Sequence, residues 1–172
     1  MATVIRGSDN FDTSDNATQT ELDALSTGKV LQVVRATRAD ISGTSSTSFT
    51  DVGLSVTITP QKSDSKILVL SNFYTRTYNT STNNVSGYFQ IADSSNNALS
   101  GAEETRIGTY RYDYSNGYAN FYSHIHLIGY ATPGVTTAVT YKLRFRVGDS
   151  NIGINVEGAD NTAQMYAMEI AG

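Results

Sequence analysis

Between Gly28 and Tyr74 the chain reads GKVLQVVRATRADISGTSSTSFTDVGLSVTITPQKSDSKILVLSNFY. Leu54, Val56 and Ile58 alternate there with Ser55, Thr57 and Thr59. A period of two places one set of side chains on a core and the other in water, so this stretch can pair as a strand and cannot form an amphipathic helix. Pro60 ends it, because proline cannot donate to a ladder. Gln61 to Ser65 make a polar turn before the apolar run Ile67-Leu68-Val69-Leu70. The pattern predicts strands over 29–38, 53–59 and 66–74.

The same reading continues downstream. Strands are predicted over 87–92, 102–113, 118–130, 139–147, 153–156 and 163–170. Over 140–147, Tyr141, Leu143, Phe145 and Val147 share one face, and Lys142, Arg144 and Arg146 share the other. Asn116-Gly117 lies between two tyrosine-rich runs and marks a tight hairpin. Residues 79–84 (NTSTNN) and 93–97 (DSSNN) read as exposed loops. No internal repeat is visible, which argues against a β-helix or a fibre-shaft repeat. The expected class is therefore all-β. The leading architecture is an antiparallel jelly-roll β-sandwich, with an immunoglobulin-like sandwich as the alternative.

Residues 1–27 read differently. The first seventeen are polar, with isolated apolar points at Val4, Ile5 and Phe11. Thr18-Gln19-Thr20-Glu21 fits a capping box, Leu22 and Leu25 follow it, and Gly28 suits a helix end. One short helix is expected over 18–27. The division is a 1–27 attachment arm with a short helix, then a 28–172 jelly-roll domain. An arm of this kind either stays disordered or orders against something else, with Val4, Ile5, Phe11, Leu22 and Leu25 as its candidate attachment residues.

Composition narrows function further. The chain has 172 residues, long enough to bury roughly two-thirds of its unfolded surface without a metal or disulfide. It has no cysteine, so thiols say nothing of its redox compartment. Net charge is −4 and only 16% of residues are charged, against the clustered positive face that nucleic-acid binding needs. No run reaches the roughly 18 apolar residues of a membrane helix, so no membrane insertion is expected. The opening stretch lacks a signal-peptide core, which points to synthesis in a cytoplasm.

The segments GKVLQVV, TSSTSFTDVGLSVTITP and SKILVL resemble a recurrent module of tailed-bacteriophage virion proteins of the tail-fibre or minor structural type. The resemblance is strongest over residues 28–71 and looser through Tyr88-Phe89-Gln90 and 141–170. MATVIRGSDNFDT also resembles the opening of such proteins. It implies a homotrimeric jelly-roll knob on the virion, attached through its N-terminal arm. The implied partners are further copies, a tail or major capsid protein, and a host surface glycan or protein. Tail-fibre or receptor-binding duty is the first expectation and capsid decoration the alternative. A virion glycan-degrading enzyme ranks last. The chain has no shaft between arm and globule, which leaves tail against capsid open.

His124 and His126 are the only histidines, and their i, i+2 spacing on a strand puts both imidazoles on one face. In a trimer they are candidates for a shared metal; solvated histidines are the simpler expectation, and no metal or cofactor is assigned. Tyr110, Tyr112, Tyr114, Tyr118 and Arg111 form a candidate receptor or subunit contact, against plain cross-strand aromatic packing. Glu103, Glu104, Asp149, Glu157 and Asp160 lie in or beside polar loops, without the second feature that a glycosidase pair needs. No nucleophile elbow or phosphate-binding loop is present, and no enzymatic activity is expected.

Overall fold

The computed structural model describes residues 28–79, 85–109, 120–158 and 161–172. Ten strands follow one another: β1 (Val30–Arg38), β2 (Ser42–Thr44), β3 (Thr50–Ile58), β4 (Lys66–Asn79), β5 (Val85–Asp93), β6 (Thr105–Thr109), β7 (Asn120–Ala131), β8 (Val139–Val147), β9 (Ile152–Val156) and β10 (Ala163–Ile170). No helix occurs among the described residues.

Pairing is antiparallel throughout and nested. β1 pairs β10, β3 pairs β8, β4 pairs β7 and β5 pairs β6. Eight strands thus make one long hairpin with β5 and β6 at its tip. Winding that hairpin adds β10–β4 and β8–β5 contacts and closes two sheets, ordered β1-β10-β4-β7 and β3-β8-β5-β6. This is a jelly roll, a double Greek key. The two short strands extend the first sheet to six. β9 takes over from β10 along the second half of β4, and β2 pairs β9.

The alternation seen in the sequence is what fills the space between the sheets. Val52, Leu54, Val56 and Ile58 of β3 are buried, as are Tyr141, Leu143, Phe145 and Val147 of β8. Phe73, Phe89 and Phe145 run through the middle, with ring centroids 4.7 Å and 6.5 Å apart in sequence. Burying three phenylalanines contributes on the order of 5–9 kcal/mol before entropy is counted.

Several expected boundaries move. β3 starts at Thr50 and not at Gly53, because Gly53 is a bulge inside the strand: its φ is +84° and the β3–β8 register slips between Asp51 and Ser55. β4 runs on to Asn79. Residues 102–104 precede β6, since the Ala102 amide closes a turn on Leu99 O at 3.0 Å. β2 has no counterpart among the expected strands. The helix expected over 18–27 and the Asn116-Gly117 turn lie outside the described residues.

Candidate functional site

The two sheets present opposite chemistry on their outer faces. On the four-stranded sheet the cations of β8 are matched. Asp51 Oδ2 accepts from Lys142 Nζ at 3.0 Å and Asp51 Oδ1 from Arg144 Nε at 2.9 Å. Arg144 also donates to Gln90 Oε1 and to Phe49 O. Arg146 donates through Nε and Nη2 to Glu104 Oε2, at 3.2 and 2.8 Å, and lies 3.9 Å over the Tyr88 ring. Burial would raise the Asp51 carboxyl, but its bonds to Lys142 and Arg144 outweigh that and hold it below the usual range. The predicted cationic face is real and is neutralised by Asp51 and Glu104.

The six-stranded sheet is built the other way. Strand register aligns its outward side chains in rows across β1, β10, β4 and β7. One row is Val33, Met168, Leu68 and Tyr130; the next is Arg35, Tyr166, Leu70 and Ile128. A third is Thr37, Gln164, Asn72 and His126. Val33 is 52% exposed and Ile128 55%, so the two apolar rows are open to solvent. Monomeric soluble proteins rarely leave a contiguous apolar patch of this kind uncovered.

Further along β4 and β7 the face becomes aromatic. Tyr74 stands opposite His124 with ring centroids 4.7 Å apart, and it stacks on Tyr122 at 5.9 Å. Arg76 lies 4.8 Å over Tyr78 and donates to Asn120 Oδ1 at 2.9 Å. Where β10 gives way to β9, a cleft of about 350 Å³ opens between Asn72, Tyr74, His124, Asn161, Thr162 and Gln164. A second cleft, of about 460 Å³, separates the Asp93–Ser100 turn from the Ala131–Tyr141 segment. Beside it the Tyr141 phenol is pushed up to about 12 by burial and by the charge of Asp93.

His124 and His126 share the outer face of β7, both exposed, as their spacing predicts. Among the described residues no group of three or more His, Cys, Asp or Glu gathers to hold a metal. Glu104 serves Arg146, the Glu103 carboxylate accepts from the Gly101 amide at 3.0 Å, and Asp149 accepts from the Asn151 amide at 2.9 Å. Glu157 lies next to Tyr74, its amide bonded to Tyr74 O, with Oε1 buried and unpartnered. Asp160, the contact residues Tyr110, Arg111, Tyr112, Tyr114 and Tyr118, and the attachment residues Val4, Ile5, Phe11, Leu22 and Leu25 lie outside the described residues.

Sequence reasoning missed the apolar rows. Their signal is the continuous run Ile67-Leu68-Val69-Leu70: a strand with one wet face alternates, and this one does not.

The fold and site define a jelly-roll sandwich in which the outer face of one sheet carries the ion pairs of β8 and that of the other carries two apolar rows that are open to solvent among the described residues. No protein-family model matches the chain, and no curated protein matches it. Among solved structures, the infectious bursal disease virus T13 particle aligns at 16% identity and TM-score 0.32, covering 84% of this chain and 36% of that one. The VP2 subviral particle of the same virus aligns at 13% and 0.33, covering 82% and 38%. The chain thus spans little more than a third of the viral chains it matches, and at these TM-scores the likeness supports no assignment.

Proposed function

We propose that this chain is a bacteriophage virion structural protein: a homotrimeric knob of tail-fibre or receptor-binding type, joined to the particle through residues 1–27. The observation that carries the reading is the contrast between the two sheets. The ion pairs of β8 suit a surface that stays in water. The rows built on Leu68, Leu70 and Ile128 suit a surface that meets protein, since covering them removes apolar area from water at about 25 cal/mol per Å². A cyclic trimer buries one such face per subunit and closes without free ends. The tail-module resemblance of residues 28–71 supports a virion setting. No catalytic role is assigned, because Glu103, Glu104 and Asp149 each hold a neighbouring amide or guanidinium.

Two measurements test this. Sedimentation of the purified chain gives a trimer; a monomer at every concentration overturns the assembly. Quantitative mass spectrometry of particles gives the chain in a handful of trimers per virion. Hundreds of copies replace the tail reading with capsid decoration, and absence from particles overturns both. Release of reducing ends from host polysaccharide overturns the non-enzymatic assignment.

A further inference from the structure

The formal charge of the chain is unevenly placed. Residues 1–27 hold Arg6 against Asp9, Asp12, Asp15, Glu21 and Asp23, a net of −4. That equals the charge of the whole chain, so residues 28–172 are neutral in sum. Within that neutral domain several cations, Arg106 of the four-stranded sheet included, have no salt bridge among the described residues, and two of them stand on the outer face of the six-stranded sheet. Arg35 and Arg76 project from its outer face, and among the described residues neither has a carboxylate within salt-bridge reach. Arg144 and Arg146 on the opposite sheet both have one. Glu157 is tied to this face's aromatic end by its amide, which donates to Tyr74 O at 2.9 Å.

Along β4 the apolar rows of Leu68 and Leu70 come first, with Arg35 in line with Tyr166, Leu70 and Ile128; Asn72 and Tyr74 then separate them from Arg76. An occupant of this face therefore needs apolar side chains spaced along an acidic segment. A second copy of the same face does not meet that need, because the outward side chains of its β1, β10, β4 and β7 include no carboxylate for Arg35 and Arg76. Residues 1–27 do, with Val4, Ile5, Phe11, Leu22 and Leu25 among their five carboxylates.

The point of entry agrees. The Gly28 amide donates to Ala171 O at 2.9 Å and the Ala171 amide to Lys29 O at 2.8 Å. These bonds fix the end of the segment beside Val30 and Ile170, where the apolar rows begin. Gly28 has a φ of +76°, which lets the preceding chain turn at that point. Reach is ample. Extended, the segment spans up to about 90 Å, whereas Leu68 to Tyr78 along β4 is about 33 Å.

We propose that residues 1–27 are the occupant of the outer face of the six-stranded sheet, holding it by apolar contacts and by carboxylates on Arg35 and Arg76. This deepens the reading of that face as a contact surface and of 1–27 as the contact arm, and rests on it. In the assembly the segment of one copy crosses the face of its neighbour, so that copies meet on this face.

The test uses the full chain. With no native cysteine, S8C takes a single nitroxide. The reporters are the ring protons of His124 and His126, the only histidines, both on this face. The expected result is loss of both signals on labelling and their return when the nitroxide is reduced. R35E/R76E in the labelled chain restores the signals without reduction, and adding D9K/D12K/D15K removes them again. Mixing labelled chains with isotope-enriched unlabelled ones assigns the segment to a neighbour if the enriched signals broaden. Sharp histidine signals in folded, labelled protein overturn the inference. So does a shift of those signals with protein concentration alone, which makes the occupant a second domain. Sedimentation of the same sample separates failures: a trimer with sharp signals leaves the virion reading standing, and a monomer does not.

Discussion

Gln32 Nε2 donates to Glu169 Oε2 at 2.6 Å, tying β1 to β10, and donates also to Thr59 O at 2.7 Å at the end of β3. Glu169 is fully buried and its Oε1 accepts from the Gln61 amide at 2.7 Å. One carboxylate therefore holds three segments at the edge of the core. Glu169→Ala leaves those donors buried without an acceptor and is expected to cost about 2–3 kcal/mol, read as a lower urea midpoint at unchanged m-value. An unchanged midpoint removes this role.

The same group gives a pH signature. Burial would raise the Glu169 carboxyl, but hydrogen bonds from Gln32 and the Gln61 and Lys62 amides outweigh it, so its folded pKa lies below the ordinary value. A depressed folded pKa means stability that is complete above the unfolded pKa, about 4.3, and is lost as pH falls through the folded one. The stability gap between wild type and E169Q is expected to be constant near neutrality and to narrow below roughly pH 4. Denaturant melts of both proteins across that range measure it; a gap that widens in acid contradicts the assignment.

Gly53 sits in the left-handed region inside β3, where an added Cβ meets the Arg38 guanidinium. The bulge lets Asp51 stay opposite Arg144 while Ser55 pairs Lys142. Gly53→Val is expected to cost about 1–3 kcal/mol from backbone strain alone. Thermal melts check this. Asp51→Ala, at a half-exposed ion pair, is expected to cost under about 1 kcal/mol and less in high salt.

The outcome shows how far alternation carries. β8 was fully legible because Tyr141, Leu143, Phe145 and Val147 are apolar and their neighbours charged. The second half of β4 was not, because its buried positions are Thr75, Thr77 and Asn79, polar side chains that a hydrophobic period does not count. Thr75 Oγ1 pays for its burial by donating to Asn155 O at 2.6 Å, a partner 80 residues away. β2 is Ser-Gly-Thr, too short for any period. Of the site, the shared face of His124 and His126 followed from spacing alone. The apolar rows depend on register between β1, β10, β4 and β7, and register is set by tertiary pairing.

Phe89 is completely buried between Phe73 and Phe145. Phe89→Ala is expected to cost about 3–5 kcal/mol, through lost burial and the cavity it leaves. Phe89→Leu keeps most of the volume and is expected to cost distinctly less. Chemical melts of the two variants check the order.

Ile128 and Leu70 stand directly opposite each other on the outer face, and Tyr130 faces Leu68 in the next row. Ile128 is 55% exposed and Tyr130 40%, so truncating them removes little from the subunit's own packing. The double variant I128S/Y130S is therefore expected to melt close to wild type, within the roughly 0.5 kcal/mol typical of surface changes. Assembly is a different matter, because a contact surface draws its affinity from a few central apolar and aromatic side chains. The same variant is expected to lose self-association by at least tenfold in Kd, measured by sedimentation across a dilution series. Loss of both fold and assembly means that the two residues serve the subunit's own stability. Retention of both means that the open face of this sheet is not where copies meet.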